Sequence, residues 1–134
     1  MKCLSSFDIK VIVNELKDLI GSRIDKFYNT KQGDLLIRFW NKKQGKFTLR
    51  INKGCCLHLT KYSYPVPQQP SRFTMLMRKY MKNAKVTDIQ QPGFERIVLI
   101  SVETQNNGYN IIFELFNQGN VVVCTTDNNI TLIK

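Results

Sequence analysis

Apolar residues in the stretch FDIKVIVNELKDLI (7–20) recur at intervals of three and four. Ile9, Ile12, Val13, Leu16, Leu19 and Ile20 therefore form one stripe, which predicts an amphipathic helix. Ser5 stands three residues before Asp8, the spacing of a capping box with the shorter acid, and Gly21 is placed to stop the helix. Beyond Gly21 the period shortens. SRIDKFYNT (22–30), DLLIRFW (34–40), GKFTLRIN (45–52) and CCLHLTKY (55–62) are short β-like runs separated by glycines and polar turns. That arrangement predicts an antiparallel meander.

The next segment, SYPVPQQPS (63–71), carries three prolines and is excluded from helix and from a central strand. It is expected to be an extended crossover connector, with a proline-rich ligand for another domain as the alternative. SRFTMLMRKYMKN (71–83) returns to helical period, with Ser71 as its cap and Phe73, Leu76, Met77, Tyr80 and Met81 as its apolar stripe. Arg72, Arg78, Lys79 and Lys82 fall off that stripe, so the outer face is basic. Five further strand patterns follow: KVTDIQQ (85–91), ERIVLISVET (95–104), YNIIFELF (109–116), NVVVCTTD (120–127) and NITLIK (129–134). NNG (106–108), NQGN (117–120) and DNN (127–129) are the turn signals between the later ones. The predicted fold class is α+β, an antiparallel β-sandwich with two amphipathic helices, because apolar strand faces need a covering layer. At 134 residues the chain is one domain. The strand pattern runs to the last residues, ITLIK, so the chain is expected to be a fragment of a longer protein truncated at its C-terminus.

Composition changes this picture mainly through charge. Twenty Lys and Arg stand against ten Asp and Glu, a formal net charge of +10. Such a balance bears on partners rather than on fold, and it points to polyanions: RNA, DNA or an anionic membrane surface. A basic domain without a polyanionic ligand is the alternative. The apolar run at the N-terminus is interrupted by Asp8, Lys10, Asn14, Glu15 and Lys17, unlike a signal peptide, and no stretch approaches the length of a membrane span. Four cysteines (Cys3, Cys55, Cys56 and Cys124) show no C-x-x-C spacing, and there is one histidine. No metal site, cofactor or redox motif is indicated. Unpaired cysteines suit a reducing compartment, so a cytoplasmic location is expected.

Catalytic patterns are absent from the sequence. His58 alternates with Leu57 and Leu59, and a Cys56–His58 dyad on one strand face has no third group to orient it. There is no phosphate-cradling glycine loop and no nucleophile elbow. The expectation is a binding module and not an enzyme.

Four segments, taken in order, resemble one family. FDIKVIVNELKDLIGSRIDKFYN resembles the opening of the NFACT proteins, also called NEMF, RqcH or fibronectin-binding-protein-A-like. LHLTKYSYPVPQQPSRFTMLMRKYMKNAKV resembles their strand, proline-bearing connector and basic helix. IQQPGFERIV resembles their Q-x-G-x-D-R-I signature, and FELFNQGNVVVCTTDNNI their glycine hairpin. The resemblance covers nearly the whole chain. It implies the N-terminal domain of a ribosome-associated quality-control factor. Such a factor binds the large ribosomal subunit with a stalled nascent chain, recruits tRNA and supports untemplated C-terminal tailing. It also implies a fold similar to the N-terminal domain of formamidopyrimidine-DNA glycosylases. Those enzymes use an N-terminal proline and a following glutamate, whereas this chain begins Met1-Lys2-Cys3, so glycosylase activity is not expected.

Carried over motif by motif, the resemblance implies that Asp8, Glu95 and Arg96 bind tRNA. Glu95 departs from the family's aspartate and sets its carboxylate one methylene further out. An arginine there can fork onto phosphate or a base edge, and a carboxylate beside it can orient the guanidinium or accept from a base amino group or a 2′-hydroxyl. Asp8 is equally placed to serve only the helix dipole. Arg72, Arg78, Lys79 and Lys82 are assigned as phosphate contacts from charge and helix phase alone. A DNA-binding or DNA-processing module, and an adhesin-like protein-binding module, are the two alternatives.

Overall fold

The computed structural model describes residues 5–52, 56–61, 64–93, 95–105, 107–115, 120–125 and 130–133. The predicted first helix is α1 (Ser6–Leu16), continued by one 3₁₀ turn (Lys17–Leu19). Ser5 caps it as expected: its side chain accepts from the Asp8 N–H at 3.1 Å, and the Asp8 carboxylate accepts from the Ser5 N–H at 3.0 Å. Ile9, Val13, Leu16 and Leu19 are buried, while Ile20 is exposed, because the 3₁₀ turn changes the helical phase before it is reached. The predicted strands follow as β1 (Arg23–Asn29), β2 (Leu35–Asn41), β3 (Gly45–Asn52) and β4 (Cys56–Thr60). The second helix, α2 (Arg72–Met81), is capped by Ser71, whose side chain accepts from the Thr74 N–H. Then come β5 (Lys85–Gln90), β6 (Ile97–Glu103), β7 (Gly108–Glu114), β8 (Asn120–Thr125) and β9 (Ile130–Ile133). The turn signals at 106–108, 117–120 and 127–129 fall wholly or partly outside the described residues, as do Cys3 and Cys55.

Hydrogen bonding runs through all nine strands in the order β4-β3-β2-β1-β5-β6-β7-β8-β9. The two packed sheets expected from the pattern are therefore two meanders of one antiparallel sheet. They meet where Arg23 pairs with Lys85. Around that pair the Gly21 N–H donates to the Val86 carbonyl, the Val86 N–H to Ser22, and the Ile24 N–H to Ala84, each at 2.8 Å. Asn83, with φ of 61°, turns the chain out of α2, and Arg23 Nη1 donates to its carbonyl at 3.0 Å. Asparagine is one of the few residues that takes this left-handed conformation at low cost.

Both meanders feed one core. Ile24, Phe27, Ile37, Phe39 and Leu49 enter it from the first, and Val86, Ile89, Val98, Ile100, Ile111 and Phe113 from the second. Strand alternation accounts for the selection in β6 and β7, which bury every second residue, while bulges between Ile24 and Lys26 and between Val86 and Asp88 bring Phe27 and Ile89 to the same side as Ile24 and Val86. Helix α1 packs against β5 and β6, and α2 against β1. Among the described residues no helix is long and apolar enough to cross a membrane.

The first meander is pinned by an ion pair beneath its surface. Arg50 Nη2 and Nε donate to Asp34 Oδ2 at 2.6 and 2.9 Å, with both side chains largely buried. Asp34 is itself fixed by its turn, where its N–H donates to Thr30 Oγ1 and the Thr30 N–H donates to its carbonyl. The proline segment is the extended connector that was expected. The Lys31 N–H donates to the Pro65 carbonyl at 3.0 Å, and the Ser71 N–H donates to Asn29 Oδ1 at 2.9 Å. The connector is thus tied to the first meander at both ends.

Candidate nucleic-acid interface

The loop from Gln91 to Arg96 leaves β5, turns at Gly93 and enters β6. Gly93 has φ of 61°, which glycine adopts without a Cβ penalty. Gln91 decides where this turn sits. Its side-chain amide donates to the Glu95 carbonyl at 2.6 Å across the turn, and to the Ser6 carbonyl at 2.8 Å. One side chain therefore closes the turn and ties it to the first residue of α1, 85 positions away. The Leu115 N–H donates to the Arg96 carbonyl at 2.8 Å and extends the β6–β7 ladder to the turn.

This geometry brings three sequence-predicted residues to one edge. Asp8 lies in the first turn of α1, whose start is held against the Glu95–Arg96 turn. Glu95 is exposed and Arg96 half-buried. Among the described residues neither makes an ion pair within 4.0 Å. The adjacent Glu95 and Arg96 thus do not neutralise one another, and both charges remain available to a ligand. Asp8 differs, because its carboxylate is already engaged with the Ser5 N–H in the capping box.

The four cations of the basic helix separate into two groups. Arg72 and Lys79 are exposed, and Lys79 Nζ stands 5.6 Å from the centre of the Tyr80 ring. Arg78 is half-buried and partly structural: its Nε donates to the Phe27 carbonyl at 2.7 Å. Arg78 and Lys82 line one cavity of about 310 Å³ with Asp25 and Lys26 of β1. These cations sit beside β1, in the other meander from the Glu95–Arg96 turn.

Several residues that the sequence reading did not single out join them. The Tyr28 ring has Arg38 at 5.0 Å, Lys26 at 5.3 Å and Arg78 at 5.5 Å from its centre. The pairing of Lys26 with Arg38 across β1 and β2 places two of these cations side by side. Alternation with the buried Ile37 and Phe39 puts Arg38 off the apolar face, whereas Tyr28 reaches that side only because β1 bulges between Ile24 and Lys26. Their convergence depends on register. His58 pairs with Arg50 across β3 and β4, and its Nδ1 is 3.0 Å from the Leu59 carbonyl. Among the described residues no group of three or more His, Cys, Asp or Glu gathers as a metal site would require.

Fold and site together define a basic α+β domain, built from two joined meanders, that presents a helix start and a strand turn at one edge. The chain belongs to the NFACT family: the family model described as NFACT N-terminal and middle domains matches residues 5–134. It is 35% identical over 130 residues to the ribosome quality control complex subunit NEMF homolog of Drosophila melanogaster, covering 96% of this chain and 13% of that protein. It is 33% identical over 132 residues to the archaeal Rqc2 homolog aRqcH of Methanocaldococcus jannaschii, covering 95% of this chain and 20% of that protein. Among solved structures it is similar to the N-terminal domain of fibronectin-binding protein PavA from Streptococcus pneumoniae. That likeness has a TM-score of 0.87 at 26% identity, over 96% of this chain and 52% of that one. The chain spans a fifth or less of the two curated relatives.

Proposed function

We propose that this chain is a tRNA-binding module of a ribosome-associated quality-control factor. It acts by binding and not by catalysis, on cytoplasmic large subunits that carry a stalled nascent chain, and supports their untemplated C-terminal tailing. The observation that carries the reading is the Gln91 clamp. It holds the first turn of α1 and the Glu95–Arg96 turn as one preorganised edge, with a carboxylate and a guanidinium not spent on each other. Family membership and the names of the relatives supply the context. Arg96 offers paired N–H donors to a phosphate or base edge, and Glu95 accepts from a base amino group or a ribose 2′-hydroxyl. The exposed Arg72 and Lys79, with Arg78 and Lys82, add sequence-independent attraction to phosphates.

The test is tRNA binding by wild type and by Glu95→Ala/Arg96→Ala over a salt series, with duplex DNA of equal charge as competitor. The double variant is expected to lose about 1–3 kcal/mol, with little change in salt slope. Duplex DNA is expected to compete poorly. Wild-type affinity in the variant, with equal competition by DNA, would reduce the interaction to net charge. The name of the streptococcal relative makes fibronectin the second ligand to assay. Fibronectin binding in the absence of tRNA binding would favour the protein-binding alternative.

A further inference from the structure

We infer that the first meander carries a second nucleic-acid site, distinct from the Glu95–Arg96 edge and sharing Arg78 and Lys82 with the phosphate contacts proposed above: a groove for a single strand, RNA if the quality-control reading holds, running between its outer face and the proline connector. The groove consists of three adjoining hollows. The first, about 300 Å³, is lined by Tyr28, Arg38, Lys61, Tyr64 and Val66 among others. The second, about 230 Å³, shares Tyr28 and Val66 with it and adds Lys26, Pro67 and Arg78. The third, about 310 Å³, shares Lys26 and Arg78 with the second and ends at Lys82. The shared residues set the three hollows side by side along one face.

Its chemistry is that of a backbone-tracking channel. Three cations surround Tyr28 within 5.5 Å of its ring centre. Any two of them are separated by no more than twice that distance, roughly a Debye length at 0.1 M salt, so their mutual repulsion is incompletely screened. Among the described residues one acid pairs with this cluster: Asp25 lies 3.7 Å from Arg38, but shares its carboxylate with Lys46 at 3.9 Å. A phosphodiester chain supplies the missing negative charge. Apolar and aromatic surface interleaves with the cations. Tyr64 lines the first hollow with the Arg50 guanidinium 4.8 Å from its ring centre, and the connector contributes Val66 and Pro67. Positive charge along a groove with aromatic rings in its wall is the physical requirement for holding a single strand.

The wall is built before any ligand arrives. Pro65 and Asn29 tie the connector down at its two ends, and the prolines limit its backbone freedom. Leu36 is buried on this outer face, outside the main core, where it lines the first hollow with Tyr64 and Val66. A recess between an anchored connector and a sheet suits an unpaired strand, whose bases can turn into the wall, better than the convex phosphate surface of a duplex.

The experiment uses a fluorescent oligouridylate of about ten nucleotides, within the usual span of such grooves. Its affinity is measured by anisotropy over a salt series, with unfolding curves to establish that each variant is folded. Lys26→Ala/Arg38→Ala is expected to lower the magnitude of the log–log salt slope by about 1.4, the value for two lost phosphate contacts to a single strand. Tyr64→Ala is expected to weaken binding about tenfold, and Tyr64→Phe, which keeps the ring, to restore it. Glu95→Ala/Arg96→Ala is expected to bind the oligouridylate like wild type, which separates this site from the edge at Gln91. An unchanged salt slope in Lys26→Ala/Arg38→Ala would overturn the proposal. So would a Tyr64→Phe variant as weak as Tyr64→Ala, or inorganic polyphosphate of equal charge displacing the oligonucleotide as well as unlabelled strand does.

Discussion

The two meanders have the same construction and opposite outer faces. On the first, the rows across the strands read Lys26, Arg38, Thr48, Thr60 and Tyr28, Leu36, Arg50, His58. On the second, the corresponding row reads Leu99, Ile112 and Val122, with Ser101 and Asn110 hydrogen-bonded beside it at 2.8 Å. Both halves turn their alternate residues into one core. Alternation therefore constrains one face of each strand and leaves the other open to different chemistry. The first meander uses that freedom to concentrate charge. The second leaves its outer face largely uncharged and places its charged pair at the mouth of β6, where Gln91 fixes the backbone and the side chains project.

The halves should respond differently when their anchors are cut. The largest effect is expected from Asp34→Ala, which leaves the Arg50 guanidinium largely buried beside Tyr64 without its carboxylate. A cost of about 3 kcal/mol is expected, read from the midpoint of denaturant unfolding. Oligouridylate binding should weaken with it, because Arg50 and Tyr64 support the groove wall. Gln91→Ala comes next. It removes two donated hydrogen bonds, to Ser6 and Glu95, at an expected cost of about 1–2 kcal/mol. Its sharper signature is loss of tRNA affinity with Glu95 and Arg96 both intact, and no change toward the oligouridylate. If tRNA binding survives Gln91→Ala, the edge does not depend on preorganisation.

The smallest effect tests Asp8. Ser5→Ala removes the cap of α1 and should cost about 1 kcal/mol in thermal or denaturant unfolding. It leaves the Asp8 carboxylate in place. A tRNA affinity that falls in Asp8→Ala but holds in Ser5→Ala would give Asp8 a contact of its own. Equal losses in both would make it a capping residue whose part in binding is indirect.

Much of this molecule is local in origin and was legible from the chain itself. The 3–4 spacing of Ile9, Val13 and Leu16, the Ser5–Asp8 cap, the alternation of β6 and β7 and the extended proline connector follow from interactions between residues a few positions apart. The family signature placed Asp8, Glu95 and Arg96 as a group, although no spacing rule connects residue 8 with residue 95. What only tertiary structure decided is where distant pieces meet. The single sheet arises because α2 and its Asn83 turn return β5 alongside β1. Residues 6 and 91 are joined by one amide, and three cations from β1, β2 and α2 converge on Tyr28. Periodicity specifies which side of an element a residue occupies. It carries no information on which other element will face it, because that is set by strand register and helix docking across the whole core. The helices, strands and net charge of this protein were therefore written locally, whereas its clamped edge and its charged groove exist only in the folded chain.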